Sequence, residues 1–159
     1  MRKFKELVSY FDYDSIDYED SDIHSIIIKA NKKLMPGMVV RLTDDGIIIP
    51  TEDSKYDVLG VIIENDNSEY HCVATCGTVI CICKSGNYKK GDYLKTCDIY
   101  GAGSKFISHR GFNIPENHKQ NICFAIVEED RDLRTTHMGY VKVKLLGKYP
   151  CTICSIKSI

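Results

Sequence analysis

Thr78-Val79-Ile80-Cys81-Ile82-Cys83 is the stretch on which the fold turns. Side chains alternate sides along an extended chain, so Val79, Cys81 and Cys83 share one face and Ile80 and Ile82 the other. Both faces are apolar, as expected of a strand covered on two sides, which places the segment at the centre of a sheet. Just before it, His71 to Thr75 reads as a second strand, with Cys76-Gly77 as the break between them.

Outward from there the pattern is strands cut by turns. Toward the N-terminus lie Ser25 to Lys29, the turn Met35-Pro36-Gly37, a strand over Met38 to Leu42, and a hairpin signal at Thr43-Asp44-Asp45-Gly46 leading into Ile47 to Pro50. Tyr56 to Ile63 is rich in Val and Ile and ends at the polar turn Glu64 to Ser68. Toward the C-terminus, Lys84 to Asn87 and Lys89 to Asp92 frame a turn region before Tyr93 to Thr96, and Gly101-Ala102-Gly103 breaks the chain again. His109 to Asn121 is a long polar loop, Ile122 to Val127 another apolar run, and Glu128 to Arg134 a charged loop. Tyr140 to Leu146 sets Val141, Val143 and Leu145 against Lys142 and Lys144, a half-buried strand. These segments predict an all-β domain of short antiparallel strands, sandwich or barrel-like (β-clip-like), over residues 24–159.

Residues 1–23 read differently. Phe4, Leu7, Val8 and Phe11 fall at helical spacing, suiting an amphipathic arm, and Asp12 to Asp22 carries five Asp, one Glu and no cation, as an extended solvated linker would. The ligand order of a calcium loop is missing there. The 159 residues hold 21 Lys plus Arg against 22 Asp plus Glu, so no general attraction to nucleic acid or anionic membrane is expected. No apolar run approaches the roughly 20 residues of a membrane span, and the start Met1-Arg2-Lys3-Phe4-Lys5 has no signal-peptide core behind it. The expectation is synthesis in the cytoplasm, with the eight cysteines as reduced, mostly buried thiols.

Four features of the sequence bear on chemistry. Cys151-x-x-Cys154 has the spacing of half a zinc knuckle or of a redox pair, but a structural site needs a second pair. The candidates, Cys81 with Cys83, His71 with Cys72, or Cys72 with Cys76, lack knuckle spacing. Cys81 and Cys83 share a strand face about 6.6 Å apart, wide for an unstrained disulfide. His71 and Cys72 are adjacent and so point to opposite faces of a strand, while His24, His109, His118 and His137 lie beside loops or strand ends. Gly101-Ala102-Gly103-Ser104-Lys105 lacks the Gly-Lys-Ser of a phosphate loop and reads as a turn. Several of the ten Tyr (Tyr56, Tyr70, Tyr88, Tyr93, Tyr100, Tyr149) sit near turns, suited either to an interface or to core edges. No catalytic, cofactor-binding or metal-ligating residue is assigned, and no enzyme activity is expected.

The order of short motifs is informative. Pro36-Gly37-Met38-Val39-Val40-Arg41-Leu42, then Tyr56 to Ile62, Val73 to Val79, Lys90-Gly91-Asp92-Tyr93-Leu94, Phe124 to Val127 and Val141 to Leu145 resemble a β-rich module of phage virion proteins, found in capsid decoration proteins and the C-terminal domains of tail-fibre and appendage proteins. The resemblance spans about residues 34 to 146. Independently of the resemblance, Gly37 and Gly91 sit where a turn needs a residue without a Cβ, Asp92 can accept turn amides, and Gly60 begins a strand suited to a close approach to another backbone.

The resemblance implies a bacteriophage structural protein that reinforces a capsid or forms part of a head or tail appendage. Its partners would be major capsid or tail proteins and further copies of itself, a trimer being the expected homo-oligomer. One branch of such proteins is autoproteolytic; Tyr10-Phe11-Asp12-Tyr13-Asp14 is faintly similar to its upstream segment, with Asp14-Ser15 or Asp20-Ser21 as a scissile pair. A third alternative is an intracellular binding module stabilised by metal on Cys151 and Cys154.

Overall fold

A computed structural model describes residues 22–52, 57–65, 69–107, 119 and 122–147. They form β1 (His24–Lys29), β2 (Val39–Leu42), β3 (Ile48–Pro50), β4 (Val58–Asn65), β5 (Tyr70–Lys84), β6 (Asn87–Tyr88), β7 (Tyr93–Thr96), β8 (Gly103–Lys105), β9 (Ala125–Val127), β10 (Arg131–Asp132) and β11 (Met138–Leu145). The all-β class expected from the sequence is the class observed. Just before β9 the amide of Cys123 donates to the Lys119 carbonyl at 2.8 Å. No helix among the described residues is long and apolar enough to cross a membrane.

The organiser is β5. The two strands expected over His71–Thr75 and Thr78–Cys83 are one strand of 15 residues, with Gly77 inside it and not at a turn. Gly77 has φ +104, and a Cβ there would lie 2.7 Å from Ile23 Cα. An interior strand glycine imitates a turn in the sequence when its actual role is to admit another backbone. It also marks where β5 changes partners: Tyr70 to Cys76 pair with β1, while Gly77 to Lys84 pair with β11 in unbroken register from Gly77–Leu145 to Lys84–Met138.

The second half of β5 belongs to a closed ring, β5–β11–β9–β7–β8–β5. Each antiparallel neighbour reverses direction, so a ring of five strands cannot close on antiparallel pairs alone. Four of its pairings are antiparallel and the fifth, β5 with β8 at Cys83–Gly103, is parallel. An alternating pattern does not announce that parallel closure, since parallel partners require a long connection, here the chain through β6 and β7.

The first half of β5 runs in a second sheet, β1–β5–β4–β2–β3, whose far edges meet at a parallel bridge between Ala30 and Ile48. The Asp45-Gly46 hairpin joins β2 and β3 as the sequence suggests, with Gly46 at φ +82. Gly60 in β4 meets its expectation of a close approach: a Cβ there would sit 1.9 Å from the Ala74 carbonyl oxygen.

The buried residues fall into two main clusters, the first of which also takes in Val39, Val58, Val61 and Ala74 from the second sheet. Val79, Cys81 and Cys83 pack with Leu94, Phe124, Val127, Val141 and Val143 in the closed ring; Ile26, Leu34, Val40, Ile48, Ile62 and Val73 pack in the other. The outward Ile82, which made both faces of the central strand apolar, is covered by Met38, Ile99, Ala102 and Tyr140. The turn at Gly37 is threaded into this layer, with the Gly37 carbonyl accepting from the Ile82 amide at 2.8 Å and the Tyr140 hydroxyl donating to Pro36 at 3.1 Å. The short β6–β10 ladder closes one end, inserting Tyr88 and Leu133 into the core.

Candidate functional site

The residues that the sequence offered for chemistry are placed structurally. His71 is 1% exposed; its Nε2 accepts the Leu34 amide at 2.9 Å, and its Nδ1 lies 3.0 Å from the Glu69 carbonyl, to which it donates. An N–H aimed at Nε2 fixes the neutral tautomer with the proton on Nδ1. Cys72 lies on the opposite, half-buried side, as the alternation requires. His24 and His137 are exposed; His109 and His118 lie outside the described residues.

The Cys81 and Cys83 thiols are fully buried in the closed ring, and the Cys97 and Cys123 side chains are buried as well. Burial pushes the Cys83 thiol up, and its neighbours Cys81 and Cys97 add to the effect. Such thiols are poor nucleophiles, because the thiolate is the reactive form. The buried Tyr88 hydroxyl is likewise pushed far up by burial and donates to the Lys84 carbonyl at 2.6 Å, a core-edge role. Tyr70 and Tyr100 are exposed, and Tyr56 and Tyr149 lie outside the described residues. No group of three or more His, Cys, Asp or Glu among the described residues is arranged to hold a metal; Cys151, Cys154, the Tyr10–Asp14 segment and both Asp-Ser pairs fall outside them.

Gly101 to Lys105, expected to be a turn throughout, divides in two. Gly101 at φ +75 is the turn, and Gly103 to Lys105 form β8. That strand carries a cleft of about 420 Å³ on the flank of the closed ring. Lys95 and Ser104 are direct partners in the β7–β8 register, and Lys84 and Ser104 each follow by one residue the parallel Cys83–Gly103 pair. Lys84, Ser104 and Lys95 therefore form a row across three neighbouring strands, the lysines two spacings apart, about 10 Å. Ser85, Gly86, Asn87, Tyr88, Lys105 and Ile107 are the other described lining residues.

The described lining holds three lysines and no carboxylate. Lys84 reaches Asp98 at 3.5 Å and Lys105 reaches Asp92 at 3.3 Å, both outside the cleft. Lys95 has no ion-pair or hydrogen-bond partner among the described residues, and the hydroxyl of Ser104, a residue only 5% exposed, is also without one.

The fold is similar to that of a phage head fiber base. The crystal structure of head fiber gp8.5 N base in bacteriophage phi29 superposes with a TM-score of 0.50 at 17% identity, covering 77% of this chain and 93% of that one. At that identity the likeness is one of fold. No protein-family model matches the sequence, and no curated protein matches it. The expectations for Gly37, Gly91 and Asp92 also hold in this fold: Gly37 and Gly91 have φ +93 and +95, and Asp92 Oδ2 accepts the Lys89 amide at 2.8 Å.

The cleft was not legible in the sequence. Lys84, Lys95 and Ser104 are spread over 21 positions of unremarkable polar residues, and only the strand order puts them side by side.

Proposed function

We propose that this chain is a structural component of a phage virion, docking on a head or tail shell and acting by binding, without turnover. The observation that supports this reading most is the fold shared with a head fiber N base, over 93% of that chain. The way the described chemical residues are used agrees with it: His71, Cys81, Cys83 and Tyr88 are taken up by packing and backbone hydrogen bonds. In this reading residues 1–23 reach toward a neighbouring subunit and residues 24–159 form the β domain, with three copies as the working unit.

The test is native mass spectrometry of the full chain under reducing conditions, followed by co-sedimentation with shells assembled from the capsid and tail proteins of the same virus. A full-length, metal-free oligomer that pellets with one of the shells is the expected result. A monomer that pellets with none of them rejects the proposal. A discrete loss of the N-terminal segment would move the reading to the autoproteolytic alternative, and stoichiometric zinc to the metal-stabilised one.

A further inference from the structure

The cleft on the flank of the closed ring has the chemistry of a ligand site, and we propose that it binds a sugar-sized polyhydroxy acid, an acidic saccharide unit. Its volume of about 420 Å³ lies within the roughly 300–1,000 Å³ typical of small-ligand pockets. The row Lys84–Ser104–Lys95 sets one hydroxyl between two cations, the arrangement that receives a carboxylate through charge-assisted hydrogen bonds.

Two features of this row go beyond a solvated lysine patch. Ser104 is almost wholly buried as a residue, and its hydroxyl, which has no protein partner, stays open to the cleft, where it can donate to and accept from a ligand oxygen. Lys95 is only half-exposed and unpaired in a stretch where the other two lysines each hold a carboxylate outside the cleft. Its charge is therefore the one available to a ligand. The Lys84–Asp98 pair is solvent-exposed, and exposed pairs of this kind are weak enough for Lys84 to turn toward a bound anion.

The rest of the lining selects against a bare ion. Asn87 offers a donor and an acceptor for hydroxyl groups, Ser85 Oγ, which itself donates to the Leu133 carbonyl at 3.0 Å, offers an acceptor, and Ile107, 64% exposed at the rim, offers an apolar surface to the C–H face of a pyranose ring. Inorganic phosphate would use the lysines alone, and a neutral sugar would use the remainder without them.

Three probes separate these contributions in ¹H–¹⁵N correlation spectra of the full chain: glucuronate, glucose and inorganic phosphate. The expected result is saturable shifts of the Lys84, Lys95 and Ser104 amides with glucuronate, and at least about tenfold weaker binding of glucose and of phosphate, the step worth one charge-assisted contact. K95Q, a change at a partly exposed position, is expected to weaken glucuronate about tenfold with the rest of the spectrum unchanged, and S104A to weaken it by less. Phosphate binding as well as glucuronate would overturn the saccharide assignment, and no saturable shift with any probe would overturn the site. All three measurements use the isolated chain, so their outcome is independent of whether it docks on a shell.

Discussion

The His71 imidazole accepts the Leu34 amide on one nitrogen and donates to the Glu69 carbonyl from the other, 1% exposed between β1, β4 and the loop after Ala30. H71F keeps a ring in the space and removes both contacts, so it is expected to lower stability by about 2 kcal/mol in urea unfolding, the scale of breaking buried hydrogen bonds from one side. Two glycines separate steric from conformational demand. G60A would drive a Cβ into the Ala74 carbonyl oxygen and is expected to cost about 3 kcal/mol or more, whereas Gly46 has open space around it and a positive φ only, so G46A should cost about 1 kcal/mol. Equal losses in the two variants would contradict the close packing of β4 on β5. At Asp132, hydrogen bonds from the Arg134 side chain and backbone hold the carboxyl down at about 2. A depressed carboxyl stabilises the fold above its ordinary value of 3.8, and that contribution disappears as pH falls from there toward 2. NMR titration of the Asp132 carboxyl should show this, and R134Q should move it back toward 3.8.

At the scale of elements, β5 is paired along its whole length and its amides are expected to be the slowest to exchange with deuterium, with those of the short β6–β10 ladder among the faster. The thiols give a second reading of the same hierarchy. Cys72 and Cys76, half-buried, should alkylate in the folded protein, while Cys81, Cys83, Cys97 and Cys123 should wait for unfolding, as site-resolved mass spectrometry would show. The same hierarchy explains what could be read in advance. Tyr140 to Leu146 and Met38 to Leu42 were legible because one face meets the core and alternation survives in the residue types. The continuity of β5 was hidden by Gly77, whose lack of a side chain serves the passage of Asp22 and Ile23 and not a turn. β6, β8 and β10 have only two or three residues each, too few to carry a period, and β10 lies in what the sequence shows as a charged loop. The cleft escaped for a related reason, since its floor is β8.

For the whole molecule, the sharing of β5 by both sheets has a thermodynamic consequence. L34A weakens the core of the β1–β4 sheet and V143A that of the closed ring, with expected losses of about 2–4 kcal/mol and somewhat less, respectively. Neither sheet can lose its packing while β5 stays ordered in the other, so NMR probes in both sheets should report one midpoint in each variant. Two separated midpoints would mean that the rings fold as independent units. The all-β class follows from the residues themselves; the organisation into two rings on one strand depends on pairings far apart in sequence, such as Ala30 with Ile48 and Cys83 with Gly103, for which a linear pattern holds no mark.

The eight-rung ladder between β5 and β11 also determines how the protein would bear a pull. Tension applied along β5 loads all of those rungs together, in shear, and the strand cannot slip without breaking them at once. Tension applied across the same two strands opens them one rung at a time, as a zipper does. A tether drawn along the axis of β5 would therefore hold against far greater force than one attached sideways, and the direction of attachment would decide the mechanical strength of the whole.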